Sequence, residues 1–210
     1  MKLPFVLTVL AHKGGVGKST LTRSIAVQAI LTGLKVAIID TDTEQYTTFK
    51  WSLRRAENVP EVVRLEERTI NEIVAELRGR GAQLIVIDTP PHSRPIINLA
   101  VEAADGVLIV TQPYQDDVQE VAKSAEIVTG LKKPGGIILN NTPARAAAVA
   151  LGRAALALVP LPTCPTTVTH LMTHPYASAE GLTAQEREPN SKAARELAEV
   201  WAWFNSRIIV

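Results

Sequence analysis

The chain has 210 residues, 46% hydrophobic and 20% charged, with a formal net charge of +1. That is globular rather than disordered composition, and a net charge near zero by itself marks no polyanionic partner. One cysteine, Cys164, excludes a disulfide framework and an intrachain cluster of thiolate ligands, and no apolar run reaches the roughly 20 residues a membrane span needs.

Phe5 to Ala11 is an apolar run of strand length, and a glycine-rich turn follows it. Ser19 to Leu31 carries Leu21, Ile25, Ile30 and Leu31 at helical spacing, and Gly33 stops that helix. Val36 to Ile39 is a second apolar strand and ends in Asp40. Thr43 to Arg55 reads as helix, Val62 to Leu65 as a short strand, and Ile70 to Leu77 as a helix with Ile70, Ile73, Val74 and Leu77 on one face. Leu84 to Ile87 is a strong strand that ends in Asp88, and Ile96 to Ala104 is helical. Val107 to Val110, Val118 to Val128 and Ile137 to Leu139 read strand, helix, strand. Leu156 to Val159 reads as one more strand, bounded by Pro160 and Pro162, and a helix from Ser191 to Ser206 comes last. Unbroken Val, Ile and Leu strands alternating with helices predict an α/β fold: a doubly wound, mostly parallel sheet with helices on both faces. No linker or internal repeat interrupts the pattern, so one domain over residues 1–210 is expected.

The segment Lys13-Gly14-Gly15-Val16-Gly17-Lys18-Ser19-Thr20 lies between a strand and a helix, the setting a phosphate-binding loop requires. Glycines let backbone N–H groups turn inward around an anion, and the helix that follows aims its free N–H groups at the same phosphates. Lys18 supplies a mobile cation to the β and γ phosphates, and the Ser19 hydroxyl is the expected magnesium ligand. The strict pattern has Gly where this chain has His12. Asp88 ends the strand Leu84 to Ile87, where a carboxylate that organises Mg2+ belongs. Asp40 and Asp42 end the second strand, and carboxylates at the carboxyl ends of parallel strands converge on the ligand crevice. Asp117 is expected to cap the helix from Val118.

The loop, with its second lysine at Lys13, is a deviant Walker A motif. With Asp40-Thr41-Asp42, Ile87-Asp88-Thr89-Pro90-Pro91, Gln112-Pro113, Leu139-Asn140, Glu180-Gly181-Leu182-Thr183 and Lys192-Ala193-Ala194, the chain resembles the ParA/MinD family of dimerising ATPases. The motifs cover nearly the whole chain and are most similar to short ParA-type partition ATPases. The loop begins at residue 12, so no N-terminal DNA-binding domain is expected. The resemblance implies a P-loop NTPase fold, ATP and Mg2+ as cofactors, and slow hydrolysis stimulated by a partner. It implies that Lys13 reaches across an ATP-bound homodimer to the other subunit's nucleotide. It further implies that Asp42 orients the attacking water, that Asp40 and Asp88 support magnesium with Ser19, and that Asn140 reads the adenine edge. Where the family continues Asp-x-Asp with Pro-Gln, this chain has Thr43-Glu44-Gln45, which puts the setting of that loop in doubt.

No Asp or Glu occurs between Glu126 and Glu180, while Lys132, Lys133, Arg145 and Arg153 do, with His170 and His174. Joined by Lys192 and Arg195, this stretch is the candidate surface for non-specific DNA, against the plainer reading of a buried strand and an Ala-rich helix. The function expected is a nucleotide-switched ATPase, cytoplasmic and nucleoid-associated, that positions or partitions a plasmid, chromosome or other cargo. Its activator would be a ParB-like or small centromere-binding protein. The alternative is a MinD-like, membrane-associated ATPase acting through Trp201, Trp203, Phe204, Ile208 and Ile209. Arg207 is the lone basic residue near that tip, and Trp201 and Phe204 are expected to pack on the core with Trp203 partly exposed. An iron–sulfur carrier on the same fold needs several cysteines, and the chain has Cys164 alone.

Overall fold

The computed structural model describes residues 4–11, 13–144 and 146–208; His12, Arg145 and Ile209, named above, lie outside them. Among the described residues six strands form one parallel sheet in the order β3-β2-β4-β1-β5-β6. The strands are β1 (Phe5–Leu10), β2 (Val36–Asp40), β3 (Glu61–Arg64), β4 (Leu84–Asp88), β5 (Gly106–Thr111) and β6 (Gly135–Leu139). The helices are α1 (Lys18–Leu31), α2 (Thr47–Ser52), α3 (Ile70–Gly79), α4 (Arg94–Ala103), α5 (Gln115–Gly130), α6 (Ala146–Leu156), α7 (Thr173–Ala179), α8 (Ala184–Arg187) and α9 (Lys192–Arg207).

β1, β2, β4, β5 and β6 are buried along their whole length, because helices cover both faces. Phe5, Leu7 and Val9 pack on the α1–α9 side with Trp201 and Phe204. Val6, Ala37 and Ile39 face α3, and Leu10, Val107 and Ile109 face α4 and α5. The sheet order reverses beside β1, so the loops after β1, β2, β4 and β6 open at one end, where ligands bind in such sheets.

Two sequence expectations fail here for identifiable reasons. Leu156–Val159 is not a strand: Leu156 ends α6 and the following residues turn. Ala-rich 146–157 favours helix, and the extended segment beside β6 lies further on, where Thr163 pairs with Ile137 and Thr169 with Thr142. Pro162 and Pro165 have no N–H to give, so that segment makes isolated bridges rather than a ladder. The helix expected from Thr43 starts only at Thr47. The Asp42 carboxylate accepts from the Glu44 and Gln45 N–H groups (3.3 and 3.1 Å), and Tyr46 holds a left-handed φ of 47°. Both hold 43–46 as a turn. The apolar face of α9 is consumed by the core as expected: Trp201, Phe204 and Ile208 are buried, and the half-buried Trp203 lies so close to Gly136 that a side chain there would collide with it. No helix among the described residues is long and apolar enough to cross a membrane.

Candidate functional site

The loop 13–17 leaves β1 and enters α1, with Gly15 and Gly17 at φ 80° and 85°. Gly17 needs that freedom twice, since a side chain there would also strike the Asn140 amide. Asn140, at the end of β6, donates from Nδ2 to the Val16 carbonyl at 2.7 Å and so ties the loop to the sheet. Lys18 begins α1 and is buried. Its Nζ donates to Asp88 Oδ1 at 2.7 Å. Thr22 Oγ1 reaches the same oxygen at 3.3 Å, and Thr48 Oγ1 from α2 donates to Oδ2 at 2.6 Å. Burial pushes the Asp88 carboxyl up, but the Lys18 charge and the hydrogen bonds from Lys18, Thr48 and Ser19 carry it below its ordinary value. Ser19 and Asp88, two of the expected magnesium residues, are therefore neighbours.

Asp40 sits in register opposite Asp88 on the adjacent strand. Burial, then the Asp88 charge, raise its pKa from 3.8 to about 6. Its oxygens are engaged: Oδ2 accepts from the Thr48 and Phe49 N–H groups, each at 2.9 Å, and Oδ1 from the Asp42 N–H at 3.1 Å. The structure thus makes Asp40 the anchor of α2 rather than a carboxylate turned to the crevice. Asp42 is buried against its own loop and accepts from Glu44 and Gln45.

Lys13 is half exposed and pairs with Asp117 Oδ1 at 2.9 Å, within its own chain. That hydrogen bond and charge raise its pKa above the ordinary value. Asp117 is not the cap expected from its sequence position: α5 starts at Gln115, so Asp117 lies inside the first turn, buried, where a negative charge also suits the helix dipole.

Among the described residues no group of three or more His, Cys, Asp or Glu side chains forms a ready-made metal cage. The Ser19 hydroxyl and the Asp88 carboxylate nevertheless fit Mg2+, which takes few protein oxygens and completes its shell with phosphates and water. Beside the loop lies a cavity of about 470 Å3 whose walls include Gly17, Leu21, Asn140, Asn141, His170 and Leu197. The motifs mark the phosphate end of this site but not Thr48, Asn141 or His170: Thr48 comes from α2, His170 from the segment beyond β6, and Asn141 is the residue after the motif's Asn140.

Of the described candidate DNA residues, Arg153 and Lys192 line one pocket together with Glu196, Arg195 follows one turn on along α9, and each already has a partner. Arg153 donates to the Cys164 and Pro165 carbonyls at 3.0 and 2.5 Å, Arg195 to the Asn190 carbonyl at 2.8 Å, and Lys192 pairs with Glu196 at 3.5 Å. Lys133 binds the Glu102 and Ala104 carbonyls at the opposite end of the sheet from the loop. Cys164 is fully buried and burial pushes its thiol up to about 11, so it presents no thiolate.

Comparison with known proteins agrees with this geometry. The chain is 25% identical over 168 residues to the iron-sulfur cluster carrier protein of Methanococcus maripaludis, covering 63% of this chain and 58% of that protein. It is 27% identical over 126 residues to protein ParA of Rhizobium radiobacter, covering 59% and 55%. It therefore spans little more than half the length of these curated relatives. Its fold matches the septum site-determining protein MinD complexed with Mg-ADP from Pyrococcus horikoshii, with TM-score 0.75, 18% identity and 96% of each chain covered. Residues 7–159 match the model of the CobQ/CobB/MinD/ParA nucleotide-binding domain, and the chain belongs to that family.

Proposed function

We propose that this chain is an ATPase that binds Mg-ATP at the loop 13–20 and uses its hydrolysis to position or partition a cargo, in the manner of ParA. The observation that carries the reading is the buried Lys18–Asp88 pair at the mouth of a glycine loop, with Ser19 and Thr48 on the same carboxylate. Backbone N–H groups of Gly14, Gly15, Val16, Gly17, Lys18, Ser19 and Thr20 would wrap the phosphates. Lys18 would bind the β and γ oxygens in place of Asp88, and Asp88 with Ser19 would hold the magnesium, which would supply neutralisation of the charge developing on the transferred phosphoryl group. Asp42 orients the water through Oδ2, while its Oδ1 accepts the Glu44 and Gln45 N–H groups that fix the carboxylate in its loop. Lys13 leaves Asp117 to reach the nucleotide of a second copy, as an arginine finger does. Hydrolysis then depends on dimerisation, and non-specific DNA and a ParB-like activator are the partners proposed.

The membrane alternative loses its motive, because Trp201, Phe204 and Ile208 are buried in the core. Iron–sulfur carriage, the role named for one relative, finds no accessible thiolate on this chain.

Calorimetry with Mg-ATP tests the site. Lys18→Ala should weaken binding by 100-fold or more, on the order of 3 kcal/mol for a lost charge-assisted contact in a dry site. Micromolar binding retained by the variant would overturn the assignment.

A further inference from the structure

Asp117 is a buried carboxylate that the chemistry at the phosphate loop does not use. Its side chain is 1% exposed, against 55% for that of Lys13. Lys13 Nζ stands 2.9 Å from Oδ1, and neither carboxylate oxygen takes a hydrogen bond from another described residue. Asp117 lies in the first turn of α5, so the helix dipole offsets part of its charge, and Lys13 is the cation that pairs with it. Beside the pair is a void of about 10 Å3, room for about one water. Val16, Ile109, Val110 and Val121 line it, and the Thr111 and Ser124 hydroxyls on its wall donate to the Gln112 and Glu120 carbonyls. Water therefore has little room to replace the ammonium. Taking Lys13 away leaves a dry carboxylate short of donors, which is the costly part of breaking such a pair.

The loop can move at Lys13 and is fixed further on. A side chain at Gly14 or Gly15 would meet nothing within 4 Å. By contrast Asn140 holds the Val16 carbonyl, and Lys18 is buried against Asp88. Two unconfined glycines thus separate Lys13 from the fixed part of the loop, and glycine is the residue whose backbone turns most freely.

The geometry points to Asp117 as a positioning residue that stores Lys13 within its own chain and so sets how readily two nucleotide-bound copies pair. Lys13 cannot hold Asp117 and reach a second copy's nucleotide at once. Nucleotide binding by one copy leaves the pair intact, whereas the pairing of copies has to break it. The stored lysine keeps idle copies apart and gives slow unaided hydrolysis a physical cause. Asp117 acts through Lys13 and is not itself a catalytic residue. This role rests on the proposed reading of Lys13 as a group that serves a second copy.

Light scattering of the full chain with Mg2+ and a non-hydrolysable ATP analogue measures the dimer dissociation constant. Asp117→Asn keeps the shape of the side chain and removes its charge. It should tighten the dimer by about tenfold or more and raise unaided turnover, with the monomer's affinity for Mg-ATP unchanged. In Lys13→Ala, where the route of action is gone, the same substitution should strengthen neither dimer nor turnover. A gain of equal size in that background marks a general effect on the fold and overturns the inference. So does an Asp117→Asn dimer that is unchanged or weaker. A second readout needs no variant and no nucleotide: acetylation of Lys13 in the wild type, followed by mass spectrometry, should run several times slower than that of the exposed Lys35. Equal rates would show that the pair does not hold in solution and overturn the inference as well. A wild type that binds the analogue yet stays monomeric at every concentration refutes the reading of Lys13, and the inference with it, even where slow acetylation shows the pair intact.

Discussion

Asp40 and Asp88 face each other across neighbouring strands and share one lysine, so each carboxylate sets the other's charge. Lys18 bonds to Asp88, and Asp40 bears the cost of burial beside that charge, rising from 3.8 to about 6. Its folded-state value lies above its unfolded one, so the folded state holds more protons between those two values. Stability from this group therefore falls as pH rises through that window. Asp88 has the opposite sign: its folded value lies below 3.8, so its contribution is present above that value and is lost in stronger acid. Replacing Asp40 separates the two. In urea titrations of the nucleotide-free protein, Asp40→Asn should gain on the wild type as pH goes from 4 to 7, by on the order of 2 kcal/mol at about 1.4 kcal/mol per pK unit. A difference between the two proteins that does not change with pH would show that Asp40 titrates as an ordinary carboxylate. Strain is concentrated in the same region: Tyr46, His92 and Asn141 take φ values of 47°, 64° and 52° after β2, β4 and β6. Non-glycine residues in that conformation cost of order 1 kcal/mol each and persist where the surroundings hold them, as at ligand sites.

The helix α2 has only six residues, and both its ends are tied down. At its start Asp40 accepts the Thr48 and Phe49 N–H groups while Thr48 reaches Asp88. At its end Trp51 Nε1 donates to the Leu182 carbonyl at 3.1 Å. Just beyond, the Arg55 guanidinium stacks on Trp51 and binds the Gly181 carbonyl and Glu186. The Asp40–Asp42 loop is thereby tied through α2 to the α7–α8 turn, and α7 borders the cavity. Arg55→Ala should cost about 3 kcal/mol in urea unfolding, since it strands Glu186 in a half-buried pocket, and Arg55→Lys should not restore it, because an ammonium lacks the planar fork. Wild-type stability in Arg55→Ala would dissolve the link. Gly181 explains its place in the Glu180-Gly181-Leu182-Thr183 motif: at φ 75° a side chain there would strike the Arg54 backbone. Much of this level was legible in sequence. The glycine loop, Lys18, Asp88 and all six strands follow from local pattern, because the chemistry of a phosphate loop and the burial of parallel strands are local constraints. Even β3, an edge strand with one buried residue, shows as the short apolar run Val62 to Leu65. What was not legible depends on partners remote in sequence. Asp40 looks like a metal residue until α2 folds back onto it, and Asp117 looks like a cap until Lys13 and the earlier start of α5 are seen. His170 reads as part of a basic stretch until the turn at Asn141 brings an amide to its ring.

At the scale of the whole molecule, Arg153 of the acid-free stretch shares a pocket wall with Lys192, but Glu196 lines the same wall and Lys133 lies at the other end of the sheet. Arg153 and Lys133 bind carbonyls, Lys192 pairs with Glu196, and the net charge is only +1. A single copy therefore offers a polyanion little, and any hold on DNA has to come from assembling copies, which doubles every contact. Because each neutralised phosphate releases counterion, affinity climbs steeply with contact number, and a weak monomer and a firm dimer are compatible with the same few cations. If the ATP-bound dimer touches about six phosphates, log affinity should fall against log salt with a slope of about −5. Arg195→Ala removes one contact per copy, so the slope should become shallower by about 2, with ATP turnover unchanged. Arg153→Ala is a poorer probe, because its guanidinium also holds the Cys164 and Pro165 carbonyls and its loss should lower the melting temperature. The dimer should require Lys13 to leave Asp117, so Lys13→Ala should still bind nucleotide yet fail both to turn it over and to hold DNA. Light scattering with a non-hydrolysable analogue, paired with plasmid binding in the ATP, ADP and nucleotide-free states, separates the possibilities. DNA bound equally in all three states, or in none at low salt, would remove DNA from the proposed function.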